Sequence, residues 1–286
     1  MILLIASILF QSVLTFVFKL YPRYHIDNFP AIIINYFVCY ICGSWFMGAM
    51  PVIETFGTPW IPYALALSLL FIAGFWFVGT TVQKFGIGLA TLMQKMSLII
   101  SVTFMLLIFG ESLHPVKILG IALAILSILL YNHNALRSRG KRNVLFLLPL
   151  MTWLISGVIE ILLFLGQAEG KVGEEYASFV TMIFLGAGVA GLLVHLPNSG
   201  PEKLIRKRNI LAGIALGIPN FFSMYFLVWV LNLGWEGSIV FPINNIGVLL
   251  FSSLVAMLAF SENIGFVRWI GLFIAAASIA LLTTFA

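Results

Sequence analysis

Two charged side chains lie where this sequence can least accommodate them. Lys95 sits inside the apolar run 89–109 and Glu160 inside the run 143–166. Each run is long enough to cross a bilayer, and a charge near its centre costs at least about 2.5–3.5 kcal/mol on insertion scales. Lys95 follows Gly88 by seven residues, about 10 Å at the rise of a helix. Its ammonium either snorkels back to the membrane edge or stays inside to attract an anionic or carboxylate-bearing ligand. Glu160 shares one helix face with Trp153, Ser156 and Gly157 by their spacing. A carboxylate there either pairs with a cation such as Lys95, exchanges a proton, or makes a structural hydrogen bond. The two depths differ by several helical turns, so a direct pair needs long side chains or tilt.

Other polar residues fall at comparable depths. Gln11, Ser12 and Thr15 in the first run are spaced like Ser156, Gly157 and Glu160 in the sixth. The ninth run carries Pro242, Asn244 and Asn245, and the eighth carries Pro219, Asn220 and Tyr225. A proline inside a helix frees a carbonyl that can kink the chain or face a ligand. Amides at such positions serve equally well as glue between helices. Asn35, in the second run, reads as structural. Trp76 and Trp153 lie deep enough to wall a binding site. The candidate binding set is therefore Gln11, Thr15, Trp76, Gln94, Lys95, Trp153, Asn220, Tyr225, Asn244 and Asn245, with Glu160 as the candidate proton-coupling residue.

Several further features read as architecture. Glycines at 186, 188 and 191, and at 213 and 217, predict close helix packing. Trp60, Trp235 and Trp269 fall at predicted helix ends as interfacial anchors. Glu111 and Glu262 each close a run near the first turn of the next, where a carboxylate can cap amides. Cys39 and Cys42 read as two small hydrophobes on a helix rather than a redox or metal pair, since no partner Cys or ligand-spaced His accompanies them. His25, His114, His133 and His195 are isolated, and no hydrolase, zinc-protease or phosphate-loop motif occurs. The chain is not expected to be an enzyme or to need a cofactor or metal.

The elements that position these residues follow from composition. Hydrophobic residues make up 62% of the 286, and charged ones 9%, with a mean hydropathy of +1.11. A soluble domain carries roughly 25% charged residues, so most of this surface must face lipid. Ten runs of about 20 apolar residues lie near 2–19, 30–50, 61–83, 89–109, 115–133, 143–166, 176–195, 209–232, 238–260 and 265–285. They predict an all-α integral membrane protein of ten transmembrane helices. The N-terminus lacks a charged region and a cleavage motif, which predicts a retained helix rather than a signal peptide.

Charge orients the helices. The gaps after the odd-numbered runs hold Lys19, Arg23, Lys84, Arg137, Arg139, Lys141, Arg142, Lys203, Arg206, Lys207, Arg208 and Arg268, against Lys117 and Lys171 in the others. The positive-inside rule makes the richer side cytoplasmic and both termini external. Net charge is +5, but no basic stripe interleaved with stacking aromatics points to nucleic acid.

A shift of 151 positions, the separation of Glu111 and Glu262, lays the fourth and fifth runs on the ninth and tenth. Gly86 meets Gly237, Ser101 meets Ser252, Phe109 meets Phe260, Lys117 meets Arg268, Gly120 meets Gly271 and Ser127 meets Ser278. Gln94 meets Asn245. Five helices per copy is an odd number, so two copies insert with opposite orientation, as in many secondary transporters. The halves are expected at 1–136 and 143–286, joined by a basic loop at 137–142.

The segment Phe109-Gly110-Glu111-Ser112-Leu113 resembles the Gly-Glu signature that closes the fourth helix in the drug/metabolite transporter superfamily. Phe260-Ser261-Glu262-Asn263-Ile264 repeats it with Ser261 in place of the usual Gly, and Val240-Phe241-Pro242-Ile243 resembles the start of that family's ninth helix. With ten helices in a five-plus-five repeat, the resemblance spans nearly the whole chain and points to the EamA-like branch. It implies a central cavity lined by helices 1, 3, 4, 6, 8 and 9 and transport of small metabolites. Two departures stand out: many relatives have cytoplasmic termini, and the first helix here lacks the embedded Glu of the small four-helix relatives. The expectation is a secondary transporter for a small organic solute, amino-acid-like or otherwise polar or amphipathic. It would work by alternating access, with proton coupling or exchange, as a monomer or dimer in a bacterial inner membrane. A lipid-linked carrier flippase is the alternative, and a non-transporting scaffold or sensor a more distant one.

Overall fold

The computed structural model describes residues 1–50, 54–85, 87–133, 147–168, 171–260 and 265–285. The connecting loop at 137–142, Gly86 and Glu262 lie outside them. The described residues form helices joined by short turns, without strands. In chain order the helices are α1 (Ile2–Leu20), α2 (Asn28–Met47), α3 (Ile61–Phe85), α4 (Ile87–Met96), α5 (Leu98–Leu107), α6 (Pro115–Tyr131), α7 (Leu147–Ala168), α8 (Tyr176–Ser199), α9 (Lys207–Asn232), α10 (Gly237–Phe260) and α11 (Phe266–Leu282). In lipid every backbone amide must be satisfied within the protein, and a helix does this locally.

Among the described residues, seven stretches are long and apolar enough to span a membrane: Asn28–Met47, Ile61–Thr81, Leu89–Ile108, Leu147–Ala168, Gly173–Ser199, Lys207–Asn232 and Gly237–Val255. Three more expected spans, Ile2–Phe18, Pro115–Tyr131 and Phe266–Leu282, are apolar but shorter. The fourth run is not one continuous helix: α4 and α5 meet at Ser97.

The helices pack as two compact units. One comprises Ala73–Phe164 and Trp235–Ala286, with Met1; the other comprises Ile2–Ile72 and Leu165–Gly234. Each unit draws helices from both halves of the sequence.

In the second unit α2 packs on α8 and α9, and α1 packs on α9. Glycines make the close approach feasible. A Cβ on Gly213 would stand 2.5 Å from Ile34 and 2.9 Å from the Ala31 carbonyl oxygen; one on Gly217 would stand 2.6 Å from Val38 and 2.9 Å from the Asn35 carbonyl oxygen. Gly188 and Gly191 similarly admit Phe37 and Ile33. The packing expected of these glycines is therefore present. Trp60, expected as an interfacial anchor, is instead fully buried: its indole donates to Glu175 at 2.7 Å and its ring meets Phe179 edge-on. On another loop, Asp27 accepts from Asn209 (3.0 Å) and Arg206 (3.1 Å), while its own amide donates to Asn209 at 3.0 Å. The Asn209 hydrogen bond, with the two nearby guanidiniums, holds the Asp27 carboxyl below its ordinary range.

In the first unit α6 and α11 run antiparallel. A Cβ on Gly120 would meet Leu282 at 2.9 Å, and one on Gly271 would meet the Tyr131 amide nitrogen at 3.0 Å. Ala124 and Ala275 share a small core with Ile246. Under the 151-position shift the Gly120–Leu282 contact becomes Gly271–Tyr131, and Ala124 exchanges with Ala275. The same shift carries the bounds of α6 onto those of α11.

Candidate functional site

The site begins with the break at Ser97, in the middle of the apolar stretch Leu89–Ile108. Here the Ile100 amide donates to the Ser97 carbonyl at 2.8 Å, a tighter turn than an α-helix makes. The Met96 carbonyl, which Ile100 would satisfy in a regular helix, accepts from the Trp153 indole at 3.0 Å. The Ser97 hydroxyl donates to the Gln94 carbonyl at 2.6 Å. One face of α7 thus completes the hydrogen bonding of an interrupted helix. Gly157 on that face lets α5 come close, since a Cβ would stand 2.8 Å from Ile100. One turn beyond Gly157, Glu160 faces α5.

Its carboxylate is held by side chains of neighbouring helices. Ser101 donates to Oε2 at 2.5 Å, and the Asn245 amide nitrogen donates to Oε1 at 2.9 Å. The oxygen of the same Asn245 amide accepts from Lys95 Nζ at 2.9 Å. Asn245 is thereby a bridge, with a cation at its acceptor end and a carboxylate at its donor end. The sequence left open whether Lys95 and Glu160 interact; they do so through an amide contributed by α10. Asn245 and its neighbour Asn244 are buried, while Lys95, Glu160 and Trp153 are each only partly covered. The arrangement can hold a proton between two polar groups and can offer an anion site beside a carboxylate.

A second charged cluster fixes α10. Glu111 accepts from the amides of Gly237 (2.8 Å) and Ser238 (3.0 Å) and from the Ser238 hydroxyl. This is a carboxylate cap on a helix N-terminus, as expected of Glu111, but the helix is α10 rather than the adjoining α6. The side chain of His114 accepts from Val116 at the start of α6 instead. Lys117, fully buried, donates to Glu236 and to the Ser112 carbonyl, 3.0 Å away, with Glu111 at 3.8 Å. Burial pushes the Glu236 carboxyl up, but the bonds from Lys117 and Ser112 outweigh it and hold the group below its ordinary value.

The other sequence candidates are placed differently. Gln94 and Thr15 are exposed, and Trp76 is 53% exposed with its ring edge-on to Phe77. Gln11 is partly buried on α1. In the second unit Asn220 donates to Asn35 at 3.1 Å, and the Cys39 thiol donates to the Gly217 carbonyl at 3.2 Å. Tyr225 lies among aromatic rings: its hydroxyl donates to that of Tyr176 at 3.3 Å, and it stacks on Phe221 with centroids 5.7 Å apart. Sequence reasoning did not select Ser97 and Ser101 as site residues. The coincidence of Ser101 with Ser252 under the 151-position shift was the available signal.

No family model matches the chain. An uncharacterized protein of Haemophilus influenzae is 26% identical over 220 residues, which cover 76% of this chain and 74% of that one. A crystal structure described only as that of a protein superposes with a TM-score of 0.79 at 14% identity, covering 99% of this chain and 96% of the other. That likeness is one of fold.

Proposed function

We propose that the protein is a secondary transporter that moves a small organic solute across a membrane, with Lys95, Asn245 and Glu160 at its substrate and proton site. The observation that carries this reading is the bridged cation and carboxylate beside a helix broken in mid-span. Polar groups placed so deep in apolar helices mark pathways for ions and substrates.

The resemblance to the drug/metabolite superfamily and its EamA-like branch supports the same reading. So do the coincident bounds of α6 and α11, which fit two inverted five-helix halves and ten spans. The Lys and Arg distribution favours external termini, and the short loops favour a bacterial cytoplasmic membrane. Glu160 would take up and release a proton as solute binds and leaves; the driving force would be a gradient or exchange.

The test is uptake into proteoliposomes of labelled amino acids, amines and nucleosides, with and without a pH gradient. Movement of at least one solute is expected. Failure of every solute to move, alongside translocation of lipid-linked substrates, would replace this reading with the flippase alternative.

A further inference from the structure

Lys95 and Glu160 are the only Lys, Arg, His, Asp or Glu within the stretches Leu89–Ile108, Leu147–Ala168 and Gly237–Val255. Their charges sum to zero, wherever the proton between them resides. Their other hydrogen-bonding partners, Ser101 and Asn245, are neutral. An ion entering alone would leave this site with an uncompensated charge in a poorly polarisable surrounding, which is strongly opposed.

The Asn245 amide shows what fits. Its oxygen accepts from Lys95 and its nitrogen donates to Glu160. A carboxylic acid group presents the same pattern, with one oxygen accepting and the other donating through its proton. We infer that transport through this site is electroneutral, the cargo being a carboxylate-bearing solute that binds at Lys95 while its positive complement sits at Glu160. That complement is either a proton taken up with the solute or the solute's own ammonium group. No bond is made or broken except the transfer of that proton, which leaves the site with the solute. The inference rests on the transporter reading and specifies its charge balance.

Proteoliposomes holding the full chain are given external labelled L-lactate or L-alanine in turn, and a potential of about 100 mV is imposed with potassium and valinomycin. One uncompensated charge crossing would change accumulation about fifty-fold. The expected result is accumulation unchanged by the potential for whichever carboxylate moves. Lactate entry should acidify the lumen and alanine entry should not, which separates the two sources of positive charge. Accumulation that follows the potential overturns the inference, as does transport of amines with neither carboxylate moving; both leave the transporter reading intact. Failure of every solute sinks that reading itself.

A substrate-free control uses thermal unfolding in detergent of Lys95→Met, Glu160→Gln and the double variant. The double variant should lose less stability than the two single losses combined, because it restores zero charge. Additive losses would show that the two groups do not balance each other.

Discussion

Asn245 and Asn220 are both asparagines inside apolar helices, and both hydrogen-bond another side chain, yet their surroundings differ in kind. Asn245 joins a cation to a carboxylate, and both of its partners are only partly covered. Asn220 bonds Asn35, which is fully buried beside Cys39 where Gly217 brings α9 against α2. The second cluster is neutral, and its Asn35 is fully buried, so its hydrogen bonds serve packing. The first retains opposite charges and some access, at a cost that packing alone does not require. On the proposed reading, an amide in a membrane helix is glue or site according to the charge of its partners and the closeness of the neighbouring backbone.

The same substitution at both positions should separate these roles. Asn245→Leu strips a partner from both Lys95 and Glu160, a combined loss of about 2–5 kcal/mol, and should abolish solute movement. Asn220→Leu removes one interhelical amide bond, worth about 0.6–1.7 kcal/mol, and should leave transport intact in the folded fraction. Thermal unfolding in detergent and uptake measure the two quantities. Equal effects would erase the distinction.

Gly217→Val attacks the packing side of the comparison. Its Cβ would press on Val38 and on the Asn35 backbone, so a loss of about 1–3 kcal/mol is expected, seen as a lower folded yield on size-exclusion chromatography. Glu111→Ala removes the cap that holds α10, and with it Asn245. A loss of about 0.5–2 kcal/mol is expected, with Glu111→Gln recovering part of it because an amide oxygen still accepts.

The smallest effect is one of pH. Glu236 and Asp27 are held below their ordinary values of 4.5 and 3.8. A carboxyl with a depressed pKa in the folded state stabilises above its unfolded pKa, and that contribution is lost as pH falls through the folded one. The melting temperature should be flat from neutral to roughly pH 5 and decline below it. The decline should be shallower in a Glu236→Gln, Asp27→Asn variant.

Much of this was legible in the residues. Lys95, Glu160 and Asn245 were marked by type and depth, because a charge or amide in an apolar run is costly enough to stand out. The packing glycines were legible for the converse reason, that small residues recur where backbones meet. Periodicity, however, assigns a residue to a face and not to a neighbour. It could not show that Asn245 bridges the two charges, or that Glu111 caps a helix 126 residues away. Nor could it show the interruption at Ser97, because neither proline nor glycine marks the place. Trp76 and Thr15 had suitable depth, but exposure depends on which helices pack against them.

The most direct test of the account is proton-gradient-driven uptake by Glu160→Gln beside the unaltered protein, both reconstituted at equal density and both monodisperse in detergent. Loss of gradient-driven accumulation, with the folded protein retained, is the result expected if Glu160 exchanges the coupled proton. Accumulation equal to that of the unaltered protein would contradict it and leave the carboxylate as a structural hydrogen-bond acceptor.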